Sequence, residues 1–343
     1  MLRNPVESVE DLERRLSEPS EADCSFMQRL EGDVIILGAG GKMGPSLAKL
    51  ARRAADEAGV RKTIVAVSRF TSETCRRDLE AAGVVALACD LLKPAEVGKL
   101  PRCENVLYLA GRKFGSTARP DLTWAMNAIS PALAANHYRQ SRIVAFSTGN
   151  IYGLTSVSSG GAREADAASP VGEYAQSCLA RERIFEFYSN EYKTPCLIFR
   201  LNYAVDLRYG VLVDIARKVY CGEPVDVTVP AFNVIWQRDA NSFALRALEL
   251  CASPVRILNV TGAETVKVRE IAESFALRFG CNCEFRGEEG SGALLSNASL
   301  CHSLLGTPSV SLGTLSEWVA DWVMKGGDSL NRPTHFEVID GSY

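Results

Sequence analysis

The sequence contains few side chains that could bind a metal ion. His137, His302 and His335 are the only histidines in 343 residues. Metal sites in proteins usually draw on several imidazole or thiolate ligands at short spacing. With so few histidines, we expect no metal site.

The sequence also lacks long apolar runs and a large excess of charge of either sign. Its 38 Lys and Arg residues nearly balance 41 Asp and Glu residues, which gives a net charge of −3. This balance argues against nucleic-acid partners and against a polybasic membrane-binding surface. No apolar run is long enough to span a bilayer, and the acidic N-terminus has no signal-peptide core.

Paired cysteines are missing as well. The eleven cysteines are odd in number and scattered, and only Cys281 and Cys283 stand close together. Disulfide frameworks in secreted domains show regular, even-numbered cysteine patterns. The pattern therefore predicts reduced thiols and a cytoplasmic protein.

What is present is the composition of a globular enzyme. Apolar residues make up 47% and charged residues 23% of the chain, and its length allows one large domain or two unequal ones.

A strand, a glycine-rich turn and a helix follow one another at residues 33–58. Residues 34–37 form a short apolar run, and Gly38, Gly41 and Gly44 follow at three-residue spacing. A helical pattern opens at Pro45, with an apolar stripe behind it. Glycines let backbone approach a ligand closely, and the helix start offers free N–H groups to an anion. The stretch predicts a site for a dinucleotide pyrophosphate, with Lys42 and Met43 inside the loop.

The end of the next predicted strand, at 63–67, bears on cofactor choice. A carboxylate at this point binds the ribose 2′-hydroxyl of NAD, whereas an arginine accommodates the 2′-phosphate of NADP. Here Ser68 and Arg69 occupy the position, with Lys42 nearby in the glycine loop. This favours NADP over NAD, although Arg69 could also be a solvated charge at a strand end.

Further strands alternate with helical segments along the chain. Strands are predicted at 84–88, 106–109, 143–146 and 195–201, and helices at 124–137 and 173–188. This alternation is typical of a Rossmann-like doubly wound parallel α/β sheet with its site at the carboxyl ends of the strands. We predict four regions: an N-terminal helical extension (1–31), an NAD(P)-binding domain (32–201), a smaller α+β substrate-binding region (202–323) and a tail (324–343). Parts of the third region, around 232–262, are expected to pack back on the NAD(P)-binding domain.

Several short motifs occur in a fixed order. They are Gly38, Gly41 and Gly44, then Asp90, Phe-Ser-Thr-Gly-Asn-Ile-Tyr-Gly at 146–153, Tyr174, Arg-Leu-Asn-Tyr at 200–203, Asp239, and Leu-Asn-Val-Thr-Gly at 258–262. In this order and spacing, residues 33–323 resemble the extended short-chain dehydrogenase/reductases, which include NAD(P)-dependent sugar epimerases and dehydratases.

The resemblance implies a hydride-transfer site. Tyr174 matches the family's proton-exchanging tyrosine, and Thr148 matches the partner that hydrogen-bonds the same substrate oxygen. It also implies a set of cofactor-binding residues, namely Gly38, Gly41, Lys42, Met43, Gly44, Ser68, Arg69, Asp90, Leu91, Ala110, Gly111, Asn127 and Tyr174.

The chain departs from the family one helical turn after Tyr174. A phenol titrates near pH 10, so it acts as a base near neutrality only beside a cation, which the family supplies as a lysine four residues on. Cys178 stands there instead, and Arg181 is the cation two turns from the tyrosine on a similar face. Gly149 and Asn150 also replace the acidic pair of the dehydratases, which puts that reaction in doubt.

Three interpretations follow. The first is an active NADP-dependent oxidoreductase or epimerase that uses Tyr174 and Thr148, helped by the cofactor's own positive charge or by Arg181. The second is an altered enzyme with Cys178 as a thiol acid/base. The third is a catalytically impaired NADP-binding protein, acting as a redox sensor or scaffold. Each residue also has a purely structural interpretation: Thr148 as a turn cap, Tyr174 as a packed aromatic and Cys178 as a small core residue.

The substrate is specified only by class. The resemblance implies a sugar, nucleotide sugar or other polyol, and no basic cluster demands a diphosphate. The candidate substrate residues are Asn202, Arg208, Trp236 and Gln237. By analogy with the family, a homodimer through the helices around Asn127 and Tyr174 is expected.

Overall fold

The computed structural model describes residues 5–341, so the outermost parts of the predicted extension and tail, 1–4 and 342–343, lie outside the described residues. Seven parallel strands form the centre of the molecule. They are β1 (Val34–Leu37), β2 (Ile64–Ser68), β3 (Val85–Ala88), β4 (Asn105–Tyr108), β5 (Arg142–Thr148), β6 (Cys196–Leu201) and β7 (Arg256–Val260).

The strand order is β7-β6-β5-β4-β1-β2-β3, which confirms the predicted doubly wound sheet. The strand order reverses between the neighbouring strands β1 and β4. Ligands in such folds bind at this point, outside the carboxyl ends of the strands. Strand β7 joins the sheet beside β6, in register from Arg256–Leu197 to Val260–Leu201. Residues 256–260 therefore do more than pack back on the NAD(P)-binding domain, because they complete its sheet.

Thirteen helices surround the sheet within the described range. They are α1 (Val9–Leu16), α2 (Glu21–Arg29), α3 (Gly44–Glu57), α4 (Glu73–Ala81), α5 (Pro94–Val97), α6 (Pro120–Trp124), α7 (Ser130–His137), α8 (Gly172–Tyr192), α9 (Val211–Tyr220), α10 (Gln237–Arg246), α11 (Val268–Phe279), α12 (Ser299–Leu305) and α13 (Leu312–Met324). Across 5–341, none of them combines the length and apolar character that a bilayer crossing requires.

Two apolar layers sandwich the sheet. On one face, Phe26 of α2, Leu47 of α3 and Phe243 of α10 pack against strand residues. On the other face, Ala134 of α7 and Phe185 of α8 do the same. The central strands β1 and β4 are buried throughout, and central strands of this kind have continuous apolar sequences rather than alternating ones, whereas the edge strand β3 is partly exposed.

A smaller region is built on α9, α11 and α13. Its core includes Ile215, Phe275 and Trp318, and Leu12 of α1 is fully buried in the same cluster. Ser8 caps the start of helix α1, because its hydroxyl accepts a hydrogen bond from the Asp11 N–H at 3.1 Å. The N-terminal extension is thus part of the folded body.

The C-terminal tail also packs on the body, although it forms no helix or strand between 327 and 341. Phe336 is buried, with its ring centroid 6.2 Å from that of Phe232. The Thr334 backbone N–H and hydroxyl both donate to the Asp214 carboxylate, at 2.8 and 2.6 Å. These contacts hold the tail across the carboxyl edge of the sheet.

A buried ion pair fixes α8 against the sheet. Glu182 accepts from Arg200 of β6 at 2.7 Å, and both side chains are about 5% exposed or less. Ser147 of β5 also donates to Glu182, while Arg200 donates to the Tyr152 hydroxyl at 2.6 Å. Helix α8 is therefore attached to two neighbouring strands through one carboxylate.

We predict that Glu182→Gln lowers the free energy of unfolding by about 3–5 kcal/mol, because it leaves the Arg200 charge buried without a counter-ion. Urea denaturation measures this change. The matched control is Glu186→Gln on the same helix, whose solvent-exposed pair with Arg183 should contribute less than about 1 kcal/mol. Equal losses in the two variants would contradict the role given to the buried pair.

Candidate active site

A cavity of about 250 Å³ opens at the carboxyl edge of the sheet, beside the glycine loop. It brings together eight of the residues singled out from the sequence: Gly38, Gly41, Lys42, Met43, Gly44, Thr148, Tyr174 and Asn202. A wider surface groove of about 580 Å³ lies at the opposite edge, near the start of β4 and β5. In parallel α/β sheets ligands bind at the carboxyl edge, so the smaller cavity is the candidate site.

The three glycines of the loop serve different purposes. Gly38 has a φ of +93°, and a Cβ there would lie 2.5 Å from the Ala110 nitrogen. A Cβ on Gly44 would lie 2.5 Å from the Cα of Ala39. Both glycines are required by the packing of the fold. Gly41 differs, because a Cβ there would meet only the Gly38 carbonyl oxygen, at 3.4 Å, and the residue lines the cavity.

The start of α3 fits an anionic group. Met43 is the N-cap residue and provides no side-chain hydrogen bond to the helix, and Pro45 lies in the first turn. The first N–H groups of a helix have no partner within the helix, and they attract anions together with the helix dipole. Met43 and Gly44 line the cavity, and the bare backbone at Gly41 leaves room beside them. These residues fit a dinucleotide pyrophosphate.

The predicted cofactor residues on β2 and β3 lie along the rim beyond the cavity lining. The Ser68 hydroxyl packs against Gly40, where an added Cβ would collide with it, and Arg69 is exposed. The Asp90 carboxylate accepts a hydrogen bond from the Leu92 N–H at 3.0 Å, and Leu91 is buried. No carboxylate therefore stands at the end of β2, as the sequence indicates.

Asn127 lies behind the cavity and is fully engaged by protein groups. Its amide oxygen accepts from the Arg112 N–H at 2.8 Å and from the Arg181 guanidinium at 2.7 Å. Its amide nitrogen donates to the Arg112 carbonyl and to the Ser177 hydroxyl, each at 2.9 Å. Asn127 thereby ties the loop after β4, which includes Ala110 and Gly111, to helix α8. Its position is that of a support for the loop rather than of a cavity-lining group.

Tyr174, Thr148 and Cys178 form one hydrogen-bonded group. Thr148 ends β5 and Tyr174 lies in the first turn of α8, and the side chains of Thr148 and Cys178 both hydrogen-bond the Tyr174 phenol. The Thr148 hydroxyl also lies 3.0 Å from the Asn150 amide oxygen. The family resemblance implies this meeting of Thr148 and Tyr174.

Burial raises the pKa of Tyr174 well above its ordinary value. The nearby Arg181 charge and the Thr148 hydrogen bond oppose this rise but do not cancel it. Burial also raises the pKa of the Cys178 thiol. At neutral pH, the site therefore holds a neutral phenol and a neutral thiol.

Two lysines enter the cavity from different walls. The Lys113 ammonium lies 5.9 Å from the centre of the Tyr174 ring and donates to the Thr334 carbonyl at 3.3 Å. The Lys42 ammonium donates to the Ala204 carbonyl at 2.7 Å and lies 4.0 Å from the centre of the Tyr209 ring. Burial lowers the pKa of each lysine to about 8.

Sequence reasoning missed Lys113, Tyr203, Tyr209 and Thr334, all of which line the cavity. Lys113 had a detectable signal, because it follows the Ala-Gly pair at the end of β4, where loop residues reach the site. Tyr209 and Thr334 had no such signal in the sequence, since neither stands at the end of a predicted central strand.

The candidate substrate residues separate into two groups. Asn202 lines the cavity and donates to the Leu294 carbonyl at 3.0 Å. The other three, Arg208, Trp236 and Gln237, lie outside its lining. Arg208 pairs with Glu13 at 2.7 Å. Trp236 packs on another tryptophan of the smaller region's core, and Gln237 donates to the Ser46 hydroxyl at 3.1 Å. These three side chains hold the smaller region and α1 to the sheet domain.

Among residues 5–341, no three His, Cys, Asp or Glu side chains converge as metal ligands. All eleven cysteines are free thiols in this fold.

The family model for the NAD dependent epimerase/dehydratase family matches residues 34–205. No curated protein matches the chain in sequence.

Solved structures share the fold at low identity. The UDP-glucose 4-epimerase of Thermotoga maritima, solved with UDP-glucose, is 16% identical, with a TM-score of 0.70 over 86% of this chain and 99% of that one. The UDP-glucose 4-epimerase of Thermus thermophilus in complex with NAD is 20% identical, with a TM-score of 0.68 over 84% and 98%. The UDP-glucuronic acid 4-epimerase of Bacillus cereus with NAD is 16% identical, with a TM-score of 0.69 over 87% and 99%.

We predict that Gly41→Val abolishes dinucleotide binding and leaves the chain folded, because the new side chain projects toward the cavity. Fluorescence titration with NADPH and NADH measures binding, and a thermal melt measures folding. Gly313→Val, the same substitution on the exposed start of α13, serves as the control. Gly44→Val is unsuitable as a probe, since it collides with Ala39. Undiminished binding by a folded Gly41→Val protein would show that the loop does not receive the dinucleotide.

Proposed function

The chain belongs to the NAD dependent epimerase/dehydratase family, and from this premise we propose that it is an NAD(P)-dependent oxidoreductase or epimerase. Its substrate is a hydroxylated small molecule, either a sugar or a nucleotide sugar. The observation that carries the proposal is the Tyr174 phenol, hydrogen-bonded to Thr148 at the cavity that the glycine loop opens.

The residues of the chain have distinct tasks in this proposal. The nicotinamide of the bound dinucleotide supplies the chemistry of accepting and donating hydride. Thr148 holds the substrate oxygen by a hydrogen bond, and Tyr174 exchanges a proton with that oxygen. Because the resting phenol is neutral, Tyr174 can donate its proton to a carbonyl oxygen directly. The opposite direction, removal of a proton from a hydroxyl, requires the phenolate.

The second candidate is a catalytically impaired dinucleotide-binding protein that acts as a sensor or scaffold. It is favoured by the buried thiol of Cys178, which is neutral at physiological pH and gives the phenolate no support. A role for this thiol as the acid or base is less favoured, because its side chain is fully buried behind Tyr174.

Dehydration is not part of the proposal. Asn150 lines the cavity, and its backbone N–H donates a hydrogen bond to the Thr148 hydroxyl. It stands where the resemblance implies an acidic side chain. An amide holds no titratable proton, so it cannot act as the acid in an elimination.

We also propose a homodimer and a cytoplasmic location. Ile129 and Phe187 are 55% and 54% exposed, near α7 and on α8 respectively. Exposed apolar side chains on these elements support contact with a second copy. Free thiols throughout the chain support a reducing compartment.

We predict that Tyr174→Phe reduces hydride transfer by about a hundredfold or more, because the variant lacks the exchangeable proton. A panel of UDP-sugars, free sugars and ketoses, followed by nicotinamide absorbance, measures the rate. Dinucleotide affinity of the variant serves as the control and should be retained. Turnover that survives Tyr174→Phe would refute this role, and binding without turnover in any wild-type assay would support the impaired-protein alternative.

NADP is the proposed cofactor, because Ser68 and Arg69 replace an acidic strand end. We predict that Arg69→Ala weakens NADPH binding about tenfold and NADH binding little, since only NADPH carries the 2′-phosphate. Competitive fluorescence titration measures the ratio. The control, Arg61→Ala, removes an exposed arginine before the opposite end of β2 and should change neither affinity. A preference for NADH in the wild type would reject the assignment.

A further inference from the structure

The proposed chemistry requires a positive charge near Tyr174. An ordinary phenol ionises near pH 10, and burial makes ionisation of Tyr174 harder still. Cys178 occupies the helix position one turn on and hydrogen-bonds the phenol. Its thiol carries no positive charge, and its thiolate would repel a phenolate. Any support for the phenolate from the chain itself must therefore come from a residue other than Cys178.

Arg181 is poorly placed for this purpose. Its guanidinium donates to the Phe146 carbonyl at 2.8 Å and to the Asn127 amide oxygen at 2.7 Å. The side chain is 5% exposed and is not among the cavity-lining residues of the described chain. Its charge lowers the pKa of Tyr174, but its donors are directed at the Phe146 carbonyl of β5 and at Asn127.

Lys113 approaches the Tyr174 ring from the loop after β4. Its ammonium lies over the Tyr174 ring, 5.9 Å from the centre, and both side chains line the cavity. The Thr334 carbonyl accepts a hydrogen bond from it at 3.3 Å. Lys42 enters the same cavity but lies against Tyr209, 4.0 Å from the centre of that ring. Of these two lysines, Lys113 is the one that faces Tyr174.

The backbone that carries Lys113 is held rigidly. The neighbouring residue, Arg112, exchanges two hydrogen bonds with the buried Asn127 side chain, at 2.8 and 2.9 Å. Asn127 in turn bonds Ser177 of α8, three residues from Tyr174. The loop and the helix that carry the two side chains are thus linked through one amide.

The charge state of Lys113 suits this role. Burial lowers its pKa to about 8, so most of the lysine is protonated at neutral pH. Among the titratable groups around it, the Asp214 carboxylate of α9 favours its charged form and the Lys42 ammonium opposes it. Cys178 of α8 favours the charged form only as a thiolate. Its positive charge is present below about pH 8 and is lost as the pH rises through that value.

We propose that Lys113, from the loop after β4, supplies the positive charge that stabilises ionised Tyr174, in place of a cation on the tyrosine's own helix. Lys113 is thereby a positioning residue that acts through Tyr174, and its role rests on the proposed hydride-transfer function. In this proposal Cys178 replaces the family's lysine on α8, and Lys113 provides the positive charge from the loop after β4.

The test is a titration of a ring-fluorinated tyrosine placed at position 174 of the full chain, followed by fluorine NMR. The ring carries enough fluorines for the phenol to ionise below about pH 8, where Lys113 is charged. We expect Lys113→Met to raise the pKa of this phenol by about one to three units. Lys113→Gln, which can still donate to the Thr334 carbonyl, should raise it as well, because the charge is lost and the contact is kept.

A matched control and a rescue complete the experiment. Lys218→Met removes another half-buried lysine, one that pairs with Glu337 at 3.6 Å and does not line the cavity, and should leave the phenol unchanged. Adding Cys178→Lys to Lys113→Met should return the pKa toward the wild-type value. An unshifted phenol in both Lys113 variants, or an equal shift in Lys218→Met, would overturn the role of Lys113. NADPH titrations of the same samples test the proposed function separately. A wild-type protein that binds no dinucleotide would contradict the proposed function, whereas the phenol titration alone decides the role of Lys113.

Discussion

The buried ion pair between Glu182 and Arg200 is the interaction on which the site depends. Removing two charges from water is costly, and only close, multiple hydrogen bonds offset that cost. Here Glu182 accepts from Arg200 and from Ser147, which precedes Thr148 at the end of β5. The pair therefore sets both the position of α8 along the sheet and the place where Tyr174 meets the strand ends.

A second polar network sets the opposite wall of the site. Asn127 links the loop after β4 to α8, and Arg181 bonds both Asn127 and the Phe146 carbonyl of β5. Asn127, Arg181 and Phe146 are buried, and an unsatisfied polar group there would be costly. The cost of breaking it keeps the loop, and with it Lys113, at a fixed position relative to the helix.

The proposed enzyme thus differs from its family in which residue supplies the positive charge beside the catalytic tyrosine. A lysine one helical turn from the tyrosine would share the tyrosine's helix and move with it. Lys113 instead lies on a separate element, and the tail carbonyl of Thr334 holds its ammonium. In this proposal, the ionisation of Tyr174 depends on the correct docking of three separate segments of the chain.

The sequence by itself determined the sheet and half of the site. Buried parallel strands are continuous apolar runs, and Gly44 is required by a local contact with Ala39, so both are visible along the chain. The pairing of Thr148 with Tyr174 is implied by the family resemblance of the sequence. Tertiary structure alone decided the rest. It placed Arg208 against Glu13 instead of in the cavity, and it brought Thr334 to Lys113 from 221 positions away. The strand and helix periods fix which face of an element a side chain occupies, whereas irregular segments have no period, so their side-chain directions are set only by the packing of the completed fold.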